Sequence, residues 1–284
     1  MAELTITSVI RTGPFAPKRR WRQPLVPLLL ALVVLACFVG PTFLPHAADQ
    51  VNNSNPFAPP SWDHWFGTDE IGRDMFARVL VGGQISLSVS FGAVAVAFVV
   101  GTIWGTVAAL RKGWADELLM RFADISMAVP QILFALLCVA SFGASILSLI
   151  LIIGLLLAPS TARMARATLL EELRLDYVAA ARAYGASTPR VLLTEVLPNA
   201  LPGLLAQTAI NVASAMILEA SLSFVGLGVP PPAMSWGVLM QQGYGQLFSH
   251  PLYIVWPAVA MLMTVLLLNL VADRGGNRSK EATQ

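Results

Sequence analysis

The sequence predicts an all-α integral membrane protein with six transmembrane helices, and three observations carry that reading. Of 284 residues, 56% are hydrophobic and only 12% charged, with a mean hydropathy of +0.69; soluble domains carry about 25% charged residues. The apolar residues gather in runs of roughly twenty, which at about 1.5 Å per residue is enough to cross a hydrocarbon core of about 30 Å. The basic residues then sort by side: when the runs are threaded as spans, 16 of the 18 Lys and Arg fall on one face or at its boundary, and only Arg73 and Arg78 fall on the other. Lys and Arg are retained in the cytoplasm, so both termini are expected there.

Residues 1–24 form a basic cytoplasmic tail with Arg11, Lys18, Arg19, Arg20 and Arg22, ahead of a first span at 25–44. Arg19–Arg20 and the Val34-Leu35-Ala36-Cys37 run loosely resemble export and lipoprotein signals, but an uncleaved first span with basic flanks explains the same residues. A Pro- and Asn-rich extracytoplasmic loop is expected at 45–83, and a core of five further spans at 84–272.

The second span, Gln84 to Leu110, carries Gly101 and Gly105 at i, i+4, a spacing that lets helices approach closely in lipid. A third span is expected from Leu118 to Phe142, and a fourth from Ile146 to Arg163 after the small Gly143-Ala144-Ser145 turn. The fifth is placed at Leu201 to Leu227, and the sixth at Leu252 to Val271 after a loop containing Pro230-Pro231-Pro232. Residues 273–284 close the chain as a cytoplasmic tail.

Between the fourth and fifth spans lies a cytoplasmic segment, 164–199, whose centre is unusually rich in alanine. Asp176 to Tyr184 is predicted as a short helix with an acid at its positive end, and Gly185 ends it with a turn that needs φ > 0. Thr188 followed by Pro189 reads as the cap and first turn of a second helix, stopped by Pro198. Tyr177, Ala181 and Tyr184 share a face by spacing, on a stub too short to be stable alone, so a partner groove is expected.

The spacing of this segment resembles the E-A-A loop of ABC importer permeases, E-A-A-x3-G-x9-I-x-L-P, with Gly185, Leu197 and Pro198 in register. Ala179 occupies the glutamate position, and Glu195 stands where the peptide branch has His, so the charge pattern differs. Two further stretches resemble the C-type permease of dipeptide, oligopeptide and nickel importers. These are Gly67-Thr68-Asp69-x-x-Gly72-Arg73-Asp74, and Glu219-Ala220-Ser221-Leu222-Ser223-Phe224 with the prolines and Ser235-Trp236-Gly237 that follow. The tail after Asn269 departs from that branch.

The resemblance implies the type I ABC importer permease fold in a bacterial inner membrane. It also implies separate ATP-binding subunits (two ATPase domains), a B-type sister permease and an extracytoplasmic solute-binding protein. Asp176, Tyr177, Ala180, Ala181, Arg182, Tyr184 and Gly185 would then form the ATPase-coupling helix. Di- or oligopeptides are the expected cargo, with nickel or glutathione-like compounds as alternatives.

Other chemistry has little support. No G-x4-G-K-[S/T] phosphate loop occurs, so ATP hydrolysis is assigned to partners and no enzyme activity is expected. The histidines, His46, His64 and His250, all fall in outer loops, and Cys37 and Cys138 sit in apolar runs as packing residues. No metal site, cofactor or nucleic-acid partner is expected at a net charge of +2; lipid is the surrounding medium. Ser145 resembles a nucleophile turn only superficially, since no base lies in the adjacent spans.

Asp124 and Glu219 are the acids within or near spans, where an ionisable group is costly unless it faces protein or water. Asp124 reads more simply as a packing lock paired to Arg121 or a nearby arginine, whereas Glu219 stays open between structure and function. An ion-coupled secondary transporter or channel working without ATPases is the alternative class, and it would make these two acids essential.

Overall fold

The computed structural model describes residues 25–282 except 53, 54 and 112, and side chains as far as Asp273. The basic segment 1–24, with its Arg19–Arg20 pair, lies outside the described residues. The helices are α1 Leu25–Val39, α2 Met75–Arg111, α3 Trp114–Ala128, α4 Gln131–Phe142, α5 Ile146–Glu172, α6 Asp176–Ala183, α7 Thr188–Val191, α8 Leu197–Phe224, α9 Trp236–Tyr244 and α10 Leu252–Ala282. Among the described residues, five segments are long and apolar enough to cross a membrane, or six if α3 and α4 count as one broken span.

The centre of the bundle is the contact between α2 and α5, with α8 packed across both and α10 against α8, α9 and α1. Small residues permit it. A Cβ on Gly105 would stand 2.4 Å from the Ala162 carbonyl oxygen, and one on Gly101 would stand 2.6 Å from Thr161 Cβ. The backbones therefore meet directly, and in lipid such close packing supplies the association energy that the hydrophobic effect cannot. In the core around this seam Leu87 and Ala93 of α2, Leu149 and Ile153 of α5, and Met216 and Leu222 of α8 are fully buried.

Several sequence expectations are corrected. The second helix begins at Met75, inside the stretch expected to be loop, because Asp74 caps it: Asp74 Oδ1 accepts from Ala77 N at 2.8 Å. The third span is not straight. Its two halves meet at 87° across Val129 and Pro130, where proline removes a donor and holds Val129 in an extended conformation.

Pro198 does not stop a helix either. Thr188–Phe224 runs on as one 37-residue segment through a π-helical turn, Leu192–Val196, in which Leu197 N bonds back to Leu192 O. The wider turn makes room for a ring that a regular α-turn would exclude. Ser187, not Thr188, holds the cap position of α7. Helix α9 was not anticipated, and α10 continues to Ala282 rather than ending near Val271, since hydropathy marks the apolar stretch and not the end of the helix.

The close seam predicts that Gly105→Val destabilises the protein by about 1–3 kcal/mol through overpacking, read as a lower thermal midpoint in detergent, while Gly203→Ala, whose Cβ would meet only Thr168 Cγ2 at 3.8 Å, is far milder.

Candidate functional site

One end of the bundle carries the helix–turn–helix. Leu175 is extended ahead of α6, and Asp176 sits in its first turn. At the other end Gly185 N donates to Arg182 O at 3.0 Å and Ala186 N to Ala181 O at 3.1 Å, with Gly185 at φ +83°. This is a Schellman closure, which needs a left-handed residue. A Cβ at Gly185 would touch nothing within 4 Å, so the constraint there is backbone conformation and not space.

The inner face of α6 is sealed to the bundle. Val178 is buried with Ala109, Leu169, Val191, Val196 and Leu204, and Tyr177, Ala181 and Ala186 pack against that cluster. Tyr177 Oη donates to Glu172 Oε2 at 2.7 Å, tying α6 to the end of α5. Burial, reinforced by the Glu172 carboxylate, pushes the Tyr177 phenol above its usual range and keeps it a donor.

The outer face carries Asp176, Ala179, Ala180, Arg182 and Tyr184, and Tyr184 is 92% exposed. The shared face read from spacing is therefore divided. Tyr177 and Ala181 turn inward, while Tyr184, at the capping position beyond the buried cluster, is exposed. Only the tertiary contacts separate the two tyrosines.

Asp124 pairs with Arg163 of α5, both about half exposed. Arg121 instead faces Glu117 at 4.0 Å. A second pair, Asp116 with Arg166, is bidentate at 2.5 Å for both bonds and fixes the start of α3 to the same helix. Asp124 is thus one of two side-by-side locks of α3 on α5.

Glu219 is fully buried in α8. Its Oε2 accepts from Ser86 Oγ of α2 at 3.0 Å and its Oε1 from Ser223 Oγ at 2.6 Å. Ser86 Oγ in turn accepts from Trp236 N at 3.1 Å, and Ser235 Oγ bonds Ser223 Oγ at 3.2 Å. One carboxyl group therefore joins α2, α8 and the start of α9 through hydroxyls. Trp236 Nε1 donates to Val79 O at 2.7 Å and completes the junction.

Sequence reasoning missed a second polar centre, at the end of the bundle opposite α6. Asp69 is fully buried; it accepts from Ile71 N at 3.0 Å, Arg73 N at 2.8 Å and Arg73 Nε at 2.6 Å, and is ion-paired to buried Arg78. Arg78 Nη2 reaches Gln242 Oε1 of α9 at 2.9 Å, which also accepts from Tyr253 Oη of α10 at 3.2 Å. The Gly-Thr-Asp signature is thus a buried strut joining the loop to α2, α9 and α10 and not a solvated turn. The usable signal was the acid with Arg at i+4 and i+9 across a helix start.

The remaining candidates have structural roles. Ser145 and Ser148 form a reciprocal capping box at the start of α5, with bonds of 2.8 and 3.0 Å. His64 Nδ1 lies 2.8 Å from Asp74 Oδ2, and His250 stacks on Phe57 at 4.0 Å. Cys37 is buried in the main core, and Cys138 lines an apolar cavity of about 490 Å³ inside the α3–α4 bend.

A bundle of long apolar helices, with a short helix–turn–helix at one end, is that of a multi-pass membrane protein. The chain belongs to the family of binding-protein-dependent transport system inner membrane components, whose model matches residues 85–277. It is 38% identical over 248 residues to a Brucella suis protein that bears a provisional peptide-permease name, covering 87% of this chain and 82% of that one. It is 35% identical to the oligopeptide transport system permease protein of Bacillus subtilis, covering 87% and 81%. It is 36% identical to the glutathione transport system permease protein of Escherichia coli O6:K15:H31, covering 87% and 80%. Among solved structures it resembles the inward-facing MetNI methionine ABC transporter, with a TM-score of 0.57 over 72% of this chain and 95% of that chain at 22% identity. The fold is that of a type I ABC importer permease, and the protein is a multi-pass component of the inner membrane.

Because Asp69 is the carboxylate facing buried Arg78, Asp69→Ala is expected to cost about 3–5 kcal/mol. The readout is loss of monodisperse protein on size exclusion, partly restored when Arg78→Met is added.

Proposed function

We propose that this chain is the C-type membrane subunit of an ATP-driven importer of di- or oligopeptides or closely related solutes. It would work with a B-type sister permease, two ATPase domains on separate subunits and an extracytoplasmic binding protein. The observation that carries the mechanism is the two-faced α6. Its inner face is bonded to α5 and packed on the α7–α8 segment, and its outer face presents Ala179, Ala180, Arg182 and Tyr184.

A small-residue helix face flanked by an arginine and a tyrosine suits a groove in an ATPase. Because α6 is fixed to the bundle, a push on it is delivered to α5 and α8 as a unit. Helix α8 has 28 residues, about 42 Å at 1.5 Å per residue, and carries that displacement to Glu219, where α2 and α9 are joined. Asp176 and Gly185 act on the coupling helix itself, the first through the helix dipole and the second through its closure.

The orientation follows from charge: the α6 end is cytoplasmic, with both chain termini, and the Asp69 end is extracytoplasmic. The cargo class rests on the names of the relatives, which are peptide, oligopeptide and glutathione permeases. Uptake of labelled dipeptides, longer peptides, glutathione and nickel by cells expressing the full system, with and without this chain, separates the candidates. An ion-coupled carrier is disfavoured because Asp124 is paired with Arg163 and Glu219 is bonded to serines.

Gly185→Val should accumulate normally but lose transport-coupled ATP hydrolysis, because a left-handed non-glycine residue costs about 1–2 kcal/mol, roughly tenfold in the seated population. Gly185→Asn, which tolerates that conformation, should retain most activity. Normal transport by the valine variant at normal expression would sink the coupling role.

A further inference from the structure

The exposed residues at the Asp69 end include aromatic side chains that the transport reading does not use. Helix α1 presents Leu28, Leu32, Leu35 and Phe38 outward along one side, the lipid-facing surface of a span. That stripe continues through the short 3-10 turn Gly40–Phe43 to Phe43, which is 81% exposed. Directly beside it, across a cleft of about 370 Å³, the loop turns out Trp62, which is 96% exposed, and Trp65, whose ring leans on Phe76 at 4.9 Å in the first turn of α2.

The cleft thus lies where α1 and α2 both leave the apolar zone. Its walls are largely aromatic, and its polar lining is His46, Asp63 and Asp74. Three large aromatic side chains turned into water would leave unused several kcal/mol of apolar burial, at about 1.5–3 kcal/mol each. An indole has an apolar body and one N–H donor, and its preferred position is the headgroup level of a bilayer.

The geometry points to an interfacial lipid anchor: Phe43, Trp62 and Trp65 insert at the membrane–water boundary, with a phospholipid filling the cleft between the end of α1 and the loop. The polar lining faces the headgroup and the aromatic walls face the upper acyl chain. The lipid is specified by continuity with the α1 surface, which already faces hydrocarbon. The anchor holds the loop, and through Asp69 and Arg78 the start of α2, at a set depth.

The test uses the full chain, labelled with 5-fluorotryptophan and reconstituted in phosphatidylethanolamine–phosphatidylglycerol bilayers. The fluorine resonance absent from Trp62→Phe identifies Trp62; this variant removes almost no protein contact, so folding is not at stake. Relaxation is then measured with nitroxides on the lipid headgroup, near the top of the acyl chain and near its end, and with a water-soluble gadolinium chelate. Strong broadening by the two shallow lipid probes, with little from the deep probe or the chelate, is the expected result, and a smaller effect of the same order is expected at Trp65. Broadening by the chelate alone overturns the anchor. So does a Trp62 resonance untouched by every lipid probe but shifted on adding a sister permease or binding protein, because that result assigns the surface to a protein partner.

Discussion

The structure depends on how closely α2 and α5 approach. In lipid the hydrophobic effect does not drive helices together, so the association must come from packing, and here glycine removes the side chains that would hold the backbones apart. Gly101 and Gly105 of α2 meet Ala158, Thr161, Ala162 and Ala165 of α5 within contact distance. Once this seam is set, α8 has a surface to cross, α3 has a helix to be pinned to, and the ends of α2 and α5 define where the two polar caps are built.

Those caps are constructed differently. At the α6 end a small apolar cluster and the Tyr177–Glu172 bond hold a short helix against the bundle while leaving its other face open. At the Asp69 end, buried charge and hydroxyl bonds tie a loop and four helices together, with Asp69, Arg78, Gln242 and Tyr253 in one tier and Glu219, Ser86, Ser223 and Trp236 in another. Buried polar groups of this kind are costly unless bonded, and apart from Arg78 Nε, which has no partner among the described residues, these side chains are bonded to one another, so the network favours one arrangement of the helices.

Much of this was legible in the chain. Hydropathy located the apolar segments, because about twenty apolar residues have few alternatives to a spanning helix. The glycine after an alanine-rich stub located the α6 turn, since a Schellman closure favours that residue strongly. Helix ends were less legible. Asp74 starts α2 nine residues before the expected point, and Pro198 is accommodated by a π-turn, because both outcomes depend on hydrogen bonds that no periodicity records.

By itself, then, the sequence determined a helical membrane protein, its family resemblance and the conformation required at Gly185, since these rest on composition, spacing and single-residue backbone preference. Only the tertiary structure decided which side each residue serves. Tyr177 faces inward and Tyr184 outward from one short helix, Asp124 takes Arg163 and not Arg121, and Asp69 disappears under Arg78. The reason is physical: local chemistry sets how a segment bends, but a side chain's environment is set by residues as far off as Glu219 is from Ser86, 133 positions along the chain.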